Sequence, residues 1–321
     1  MPRIRSLPAS KYASTAKYVL ADYGARDFRF PFYCSFKVVQ RCDSRCEFCN
    51  VWKSPTPDMP TEKVLKIIDN VAKSSVIVLS LEGGEPLLRK DIGEILEHVR
   101  TKPLYLLFTS SGKLFDRRPM KEYSKYIDFL HVSIDEGHKN MDEYESLQEF
   151  VSWGPVVCVQ IVVMGQYLPD LETKIRKCQQ AGAKAVVMPA CHIPDTPDFL
   201  PDMIAFRDEV RRLKLKYPNT IITTDKYLQT LDAPHGCNAA SIIIDADGRL
   251  YYPCRTLMGK SIDAAEEPLM DFLASQKAAE CRERMRQCEI NCHWYQYCAT
   301  DSFISLRGSI SALKPYLDDL I

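Results

Sequence analysis

Through the middle of the chain, apolar β-branched runs alternate with amphipathic stretches. Strands are expected at Ser35–Gln40, Val76–Leu81, Leu104–Phe108, Phe129–Ile134, Val156–Met164 and Ala185–Met188. Between them, apolar residues at helical spacing predict helices over Thr61–Lys73, Lys90–Thr101, Arg118–Tyr126, Asp142–Trp153 and Leu168–Ala181. Pro60-Thr61 before Glu62 and Gly182 after Ala181 are start and stop signals. A strand–helix alternation of this kind implies a parallel sheet with right-handed crossovers. Six such units are too few to close an eight-stranded barrel, so the expected fold is α/β, a partial, open (β/α)6 TIM-like barrel. An amphipathic helix over Lys11–Tyr23 is expected to precede it.

The rhythm changes after Pro194. A Pro- and Asp-rich stretch leads into a charged helix over about Asp202–Lys216. Beyond it, Ser241–Ile244 and Leu250–Tyr252 flank Asp245-Ala246-Asp247-Gly248, and Asp-Gly between apolar runs predicts a hairpin. Three parts are therefore expected: an N-terminal helical extension over 1–28, a core domain over 29–218, and a smaller cysteine-rich α+β domain over 219–321.

Composition narrows the function classes. With 321 residues, 46% hydrophobic and 26% charged, the chain can bury a full core without disulfides. Lys+Arg and Asp+Glu each number 42, so no net positive field invites a nucleic acid. No apolar run reaches the ~20 residues that span a bilayer. No secretory signal core follows Arg3 and Arg5, and a cytoplasmic location is expected. Against that background, thirteen cysteines suggest metal binding.

Cys42-Asp-Ser-Arg-Cys46-Glu-Phe-Cys49 follows the first strand directly. Three thiolates in so short a loop can surround one metal centre. Iron–sulfur cubes normally take four cysteines, and the nearest other thiol, Cys34, lies inside the strand. Three ligands would leave one iron open to a further molecule such as S-adenosylmethionine (SAM), which offers an amino group and a carboxylate. Three zinc ligands, or three buried thiols, are the alternatives.

Cys-x3-Cys-x2-Cys after the first strand, with aromatic Phe48 before the last cysteine and Glu82-Gly83-Gly84-Glu85-Pro86 after the second strand, resembles the radical SAM superfamily. The resemblance implies a 4Fe–4S cluster on Cys42, Cys46 and Cys49, with Phe48 against adenine. It also implies a GGEP-like turn, Gly83, Gly84, Glu85 and Pro86, whose backbone meets the SAM amino group. A substitution such as Gly84→Val is then expected to weaken SAM binding and spare the cluster.

In α/β barrels the site lies at the C-terminal ends of the strands. Thr109, Ser110 and Ser111 end the third strand; Ser133 and Asp135 end the fourth, where Asp135 could accept from ribose hydroxyls. Caps or turn residues are the bland reading of each. Glu136, His138, Cys191 and His192 fall at the same mouth as acid/base or substrate-contact candidates.

Cys237 precedes the predicted hairpin, Cys254 follows it, and Cys288, Cys292 and Cys298 come later. This resembles the SPASM/twitch region that holds auxiliary 4Fe–4S clusters. The match is partial, with Ser302 and Asp301 where a last cysteine would stand, so one auxiliary cluster is expected. Four thiolates also suit zinc. Cys281 is expected to be a spare, and Cys158 and Cys178 structural.

The resemblance implies reductive cleavage of SAM to methionine and a 5′-deoxyadenosyl radical, fed by a low-potential donor such as ferredoxin or flavodoxin. The expected enzyme acts as an oxidoreductase or transferase on a small metabolite or lipid. A lipid is compatible with the basic N-terminal helix. A peptide-modifying maturase is the alternative, set second because about thirty residues precede the first strand, too few for a leader-binding domain. A non-catalytic iron–sulfur electron carrier is the alternative of another class.

Overall fold

A computed structural model describes residues 4–25, 27–191, 198–231, 236–290 and 292–316, with the side chain of Leu306 excepted. His192, one of the acid/base candidates, lies outside the described residues.

Six strands follow the predicted order: β1 (Tyr33–Val39), β2 (Val78–Gly83), β3 (Tyr105–Ser110), β4 (Phe129–Ser133), β5 (Val156–Val163) and β6 (Lys184–Pro189). Each pairs in parallel with its predecessor. The intervening helices are α2 (Thr61–Lys73), α3 (Ile92–Arg100), α4 (Met120–Tyr123), α5 (Leu147–Ser152) and α6 (Leu171–Ala181), after an N-terminal α1 (Ala9–Ala25). Two predicted helices are shorter than expected. Ser124–Tyr126 and Met141–Ser146 are 3-10 turns that abut α4 and α5. Helix α6 stops at Gly182, whose φ of 78° suits glycine at a helix C-terminus. Helix α7 (Met203–Lys216) opens on Asp202, whose side chain accepts from Ala205 N–H.

The sheet does not end at β1. Strand β7 (Ser241–Ile244) pairs in parallel with β1, and β8 (Arg249–Tyr252) and β9 (Lys260–Asp263) continue antiparallel, giving the order β6-β5-β4-β3-β2-β1-β7-β8-β9. The predicted hairpin is thus stitched onto the core sheet, and its turn starts at the same end as the close of β1 and β2. Gly248 takes φ 81° in that turn.

Strand alternation sorts the side chains. Cys34, Phe36 and Val38 pack with Val64, Ile67 and Ile68 of α2 in the main core. The opposite face is polar, and register sets its residues side by side: Ser35 by Ser80 and Lys37 by Glu82, Thr109 by His131, Ser133 by Gln160. A core can be filled by apolar groups alone, so a polar face at this position marks a working interior. No helix among the described residues is long and apolar enough to cross a membrane.

Candidate active site

The β2 exit and the β1 exit form one hydrogen-bonded unit. Gly84 N–H donates to Val39 C=O and Glu85 N–H to Arg41 C=O, each at 2.9 Å. A Cβ on Gly83 would lie 2.2 Å from the Val39 oxygen, and one on Gly84 2.2 Å from the Arg41 oxygen. Only glycine allows this approach. Arg41 is fixed from its other side as well: its guanidinium pairs with Asp58, with Nε 3.0 Å from Oδ1. The cysteine loop therefore leaves a clamped residue.

Within the loop, Cys49 N–H donates to Cys46 C=O at 3.2 Å and Arg45 returns to Cys42 C=O at 3.0 Å. Burial pushes the Cys42 thiol up to about 11.

Glu85 is buried, and its carboxylate is spent inside the protein. It accepts from Leu87 N–H at 3.1 Å, Ser110 Oγ at 2.9 Å, and both N–H and Oγ of Ser111 at 2.9 Å. Burial pushes its carboxyl up despite those bonds. Pro86 opens the short 3-10 turn that follows. The side chain of Glu85 thus ties the end of β2 to the end of β3.

A residue that the sequence reading passed over ties β3 to β4. Asn140, itself buried, donates from Nδ2 to Ser111 C=O at 2.6 Å and to Ser133 C=O at 2.7 Å. Its Oδ1 has no partner among the described residues, nor has the buried Oγ1 of Thr109. Ser133 Oγ reaches Gln160 Oε1 at 3.3 Å.

Asp135 is fully buried. One oxygen accepts from His138 N–H at 2.9 Å and from its Nδ1 at 2.8 Å; the other accepts from Val162 N–H at 3.0 Å. Asp135 thereby fixes the turn that carries His138. Burial alone would lower the His138 ring, but the adjacent Asp135 carboxylate holds it up at about 10. Phe48 meets it edge-on with centroids 5.2 Å apart, and any Cβ on Gly137 would collide with Phe48. Glu136 pairs with Lys174 on α6 at 2.6 Å.

Charged residues missed in the sequence lie between the two cysteine groups. Lys37 sits near Cys49 and 3.7 Å from Asp245, which also pairs with Arg255 at 2.9 Å, next to Cys254. Glu82 accepts from Ser35 Oγ, and burial raises its carboxyl. A lysine and a glutamate inside otherwise apolar strands were the available signal.

The five later cysteines lie within electrostatic reach of one another, although among the described residues no three or more His, Cys, Asp or Glu side chains are placed to hold a metal ion. Cys237 has Cys254, Cys288 and Cys292 as neighbours, and Cys298 hydrogen-bonds Cys292, which lowers the Cys292 thiol and raises its own. Cys191, beyond β6, joins them: its Sγ lies 3.5 Å from His293 C=O and it neighbours Cys292. Cys281 stays apart, among Arg284 and Lys260. Cys158 and Cys178 are buried in β5 and α6. Asp301, buried beside Cys237, accepts from Asn238 N–H at 3.1 Å, and burial pushes its carboxyl up to about 7.

Comparison with known proteins points the same way as the order of these motifs. Residues 36–155 match the family model of the Radical SAM superfamily. That segment of the chain is similar to the radical SAM domain. It is similar to the PqqA peptide cyclase of Granulibacter bethesdensis, 28% identical over 104 residues, covering 31% of this chain and 28% of that protein. It is also similar to the GTP 3′,8-cyclase of Lactiplantibacillus plantarum, 31% identical over 113 residues, covering 32% and 33%. The chain thus spans a third or less of these curated relatives. Among solved structures, Streptococcus suis SuiB bound to S-adenosylmethionine shares the fold, with TM-score 0.70 and 16% identity over 91% of this chain and 79% of that one.

Proposed function

We propose that this chain cleaves SAM reductively and applies the radical to a peptide. The carrying observation is the fusion of two motifs into one unit: the Gly83–Gly84 turn packs on the very backbone that launches Cys42, Cys46 and Cys49. Three thiols with no fourth from the same loop suit a cluster with one open iron. The unpartnered Asn140 Oδ1, between the ends of β3 and β4, is a polar atom such a site would use.

When bound, the cluster and SAM supply a 5′-deoxyadenosyl radical that takes a hydrogen atom from carbon. The protein's part is placement. In this reading the Gly83, Gly84 and Pro86 backbone receives the SAM amino group, and Glu85 holds that turn against Ser110. Phe48 lies along the adenine, Ser133 lines the mouth, and Asp135 acts through His138. Cys237, Cys254, Cys288, Cys292 and Cys298, within the 219–321 unit, supply the ligands of one auxiliary 4Fe–4S cluster. Ferredoxin or flavodoxin supplies the electron.

A peptide takes precedence over a metabolite or lipid for two reasons. The similar proteins include a peptide cyclase, and SuiB, which shares the fold, was also solved bound to its precursor peptide SuiA. The lipid reading leaned on basic N-terminal residues, yet Arg5 is turned onto Asp128 and Leu104 C=O, and Lys11 Nζ onto Ser74 C=O at 2.9 Å. The similarity to a GTP cyclase keeps a nucleotide as the second reading.

Anaerobically reconstituted protein with dithionite and SAM should release 5′-deoxyadenosine, and Cys46→Ala should abolish the release. A cognate peptide should raise the yield and lose hydrogen, read by mass. Undiminished cleavage by Cys46→Ala would refute the assignment of the trio, and a full cluster with no SAM turnover would return the electron carrier.

A further inference from the structure

The cysteine loop and the glycine turn lie at the C-terminal ends of the strands. At the other end of the sheet, before β2 and β3 begin, the chain builds a second recess. The N-terminal segment and the start of α1 meet the Arg100–Pro103 link between α3 and β3, bounding about 440 Å³. Four cations line it, Arg5, Lys11, Arg100 and Lys102, with the hydroxyl residues Ser10 and Thr101. Among the described residues, no Asp or Glu lines it.

Two carboxylates partner these cations, and both are shared. Buried Asp128 takes Arg5 Nε at 3.3 Å, Arg100 Nη1 at 3.4 Å and Leu106 N–H at 2.8 Å. Asp69 takes Lys102 Nζ at 2.7 Å and also meets His98 at 2.8 Å. Lys11 has no carboxylate partner among the described residues. It is 6% exposed, and its Nζ donates only to carbonyls, Ser74 C=O at 2.9 Å and Ala72 C=O at 3.3 Å. Burying an ammonium without a counter-charge is costly, and burial lowers this one to about 8. Four positive charges thus meet two negative ones.

Helix α1 adds to that field. Its seventeen residues begin at Ala9, with no acidic residue in the first turn to meet the N–H groups left open there. Arg5 is spent on Asp128 and on the carbonyls of Arg100 and Leu104. Arg100 and Lys102 keep part of their side chains open, 38% and 23%, so they can meet a ligand as well as their acids.

We propose that this recess binds a phosphate group, as inorganic phosphate or a phosphate monoester. Such a group carries close to two negative charges and three strong acceptor oxygens, which matches the two uncompensated positive charges. Arg100 and Lys102 contact its oxygens, and Lys11 and the first turn of α1 supply the surrounding field. The site stands apart from the mouth and does not depend on what the cysteines hold.

The test is calorimetric titration of the full chain with sodium phosphate at low ionic strength, with sodium acetate as a monoanion control. One phosphate per chain should bind saturably, and acetate should not. Arg100→Gln and Lys102→Gln, at part-exposed positions, should each weaken binding by about tenfold, the loss of one charge-assisted contact. If one variant fails to fold, the other decides. Phosphatidylcholine vesicles with and without phosphatidic acid separate the sources. Phosphate binding without recruitment to the phosphatidic acid vesicles supports the site with a soluble ligand. Recruitment that the variants lose supports it with a lipid headgroup. Neither binding nor recruitment overturns the proposal, and so does binding that the variants leave unchanged. Cys46→Ala should bind phosphate as wild type does; loss of binding there would place the anion at the core loop and overturn the proposal.

Discussion

The α-carbon of Gly84 faces the carbonyl of Arg41 so closely that a Cβ there would sit 2.2 Å from the oxygen. Reading the GGEP-like turn as a SAM contact alone, Gly84→Val should spare the cluster. The structure predicts otherwise. Arg41 precedes the first cysteine, and its oxygen is backbone, which cannot swing aside as a side chain would. Gly84→Ala should therefore displace the start of the cysteine loop and lose most core iron together with SAM binding. Iron analysis and equilibrium dialysis check it, and normal iron with weak SAM binding would favour the contact-only view.

Glu85 should act on stability before it acts on chemistry. Its two oxygens accept four hydrogen bonds in a buried setting. Glu85→Gln puts an amide where at least one donor already points, leaving unsatisfied groups at about 1–3 kcal/mol. A lower melting temperature is expected, with SAM affinity falling as the ends of β2 and β3 separate. Glu85→Ala should cost more, since all four donors lose their acceptor.

His131 gives a pH dependence whose sign can be worked out. It is buried on the polar face of β4, and its Nδ1 accepts from Gln160 Nε2 at 3.0 Å. Burial lowers its pKa from 6.5 to about 4. Between those values the unfolded chain binds the proton and the folded chain does not, so stability falls as pH drops through that window. Above it neither state is protonated, and below it both are. The slope from this one group approaches about 1.4 kcal/mol per pH unit. His131→Gln should flatten the fall in melting temperature between pH 6.5 and 4 relative to wild type. Identical slopes would mean that the ring charges without cost.

The order of the six strands and the cysteine trio were legible because both are local. Periodicity within β5, Val156–Val163, and spacing within Cys42–Cys49 need no partner elsewhere in the chain. What failed to show depends on register. That Lys37 would lie beside Glu82 follows only once β1 and β2 are aligned. That β7 would join the free edge of β1 follows only once the sheet is built. Asn140 sits in a turn with no periodicity, so nothing in the sequence separates it from an ordinary loop asparagine. That Asp135 and Glu136 would meet Val162 and Lys174 follows only once β5 and α6 are in place.

The later cysteines offer a sharper test than the core trio, because one of them is set apart. Cys237, Cys254, Cys288, Cys292 and Cys298 neighbour one another, whereas Cys281 lies among basic residues of the helix Gln276–Arg286. A variant with Cys42, Cys46 and Cys49 all replaced by Ala should retain about four irons per chain, the content of one cube, and negligible zinc. Adding Cys254→Ala should remove most of that iron, because this residue holds one arm of the hairpin to the group. Adding Cys281→Ala should remove none, although both cysteines are buried. Burial cannot explain such a difference; ligation can. About eight irons in the starting variant would point to two auxiliary clusters, and zinc without iron would show a tetrahedral thiolate site in place of a cube. Equal losses from Cys254→Ala and Cys281→Ala would mean that the nearness of the five thiols has no part in holding metal.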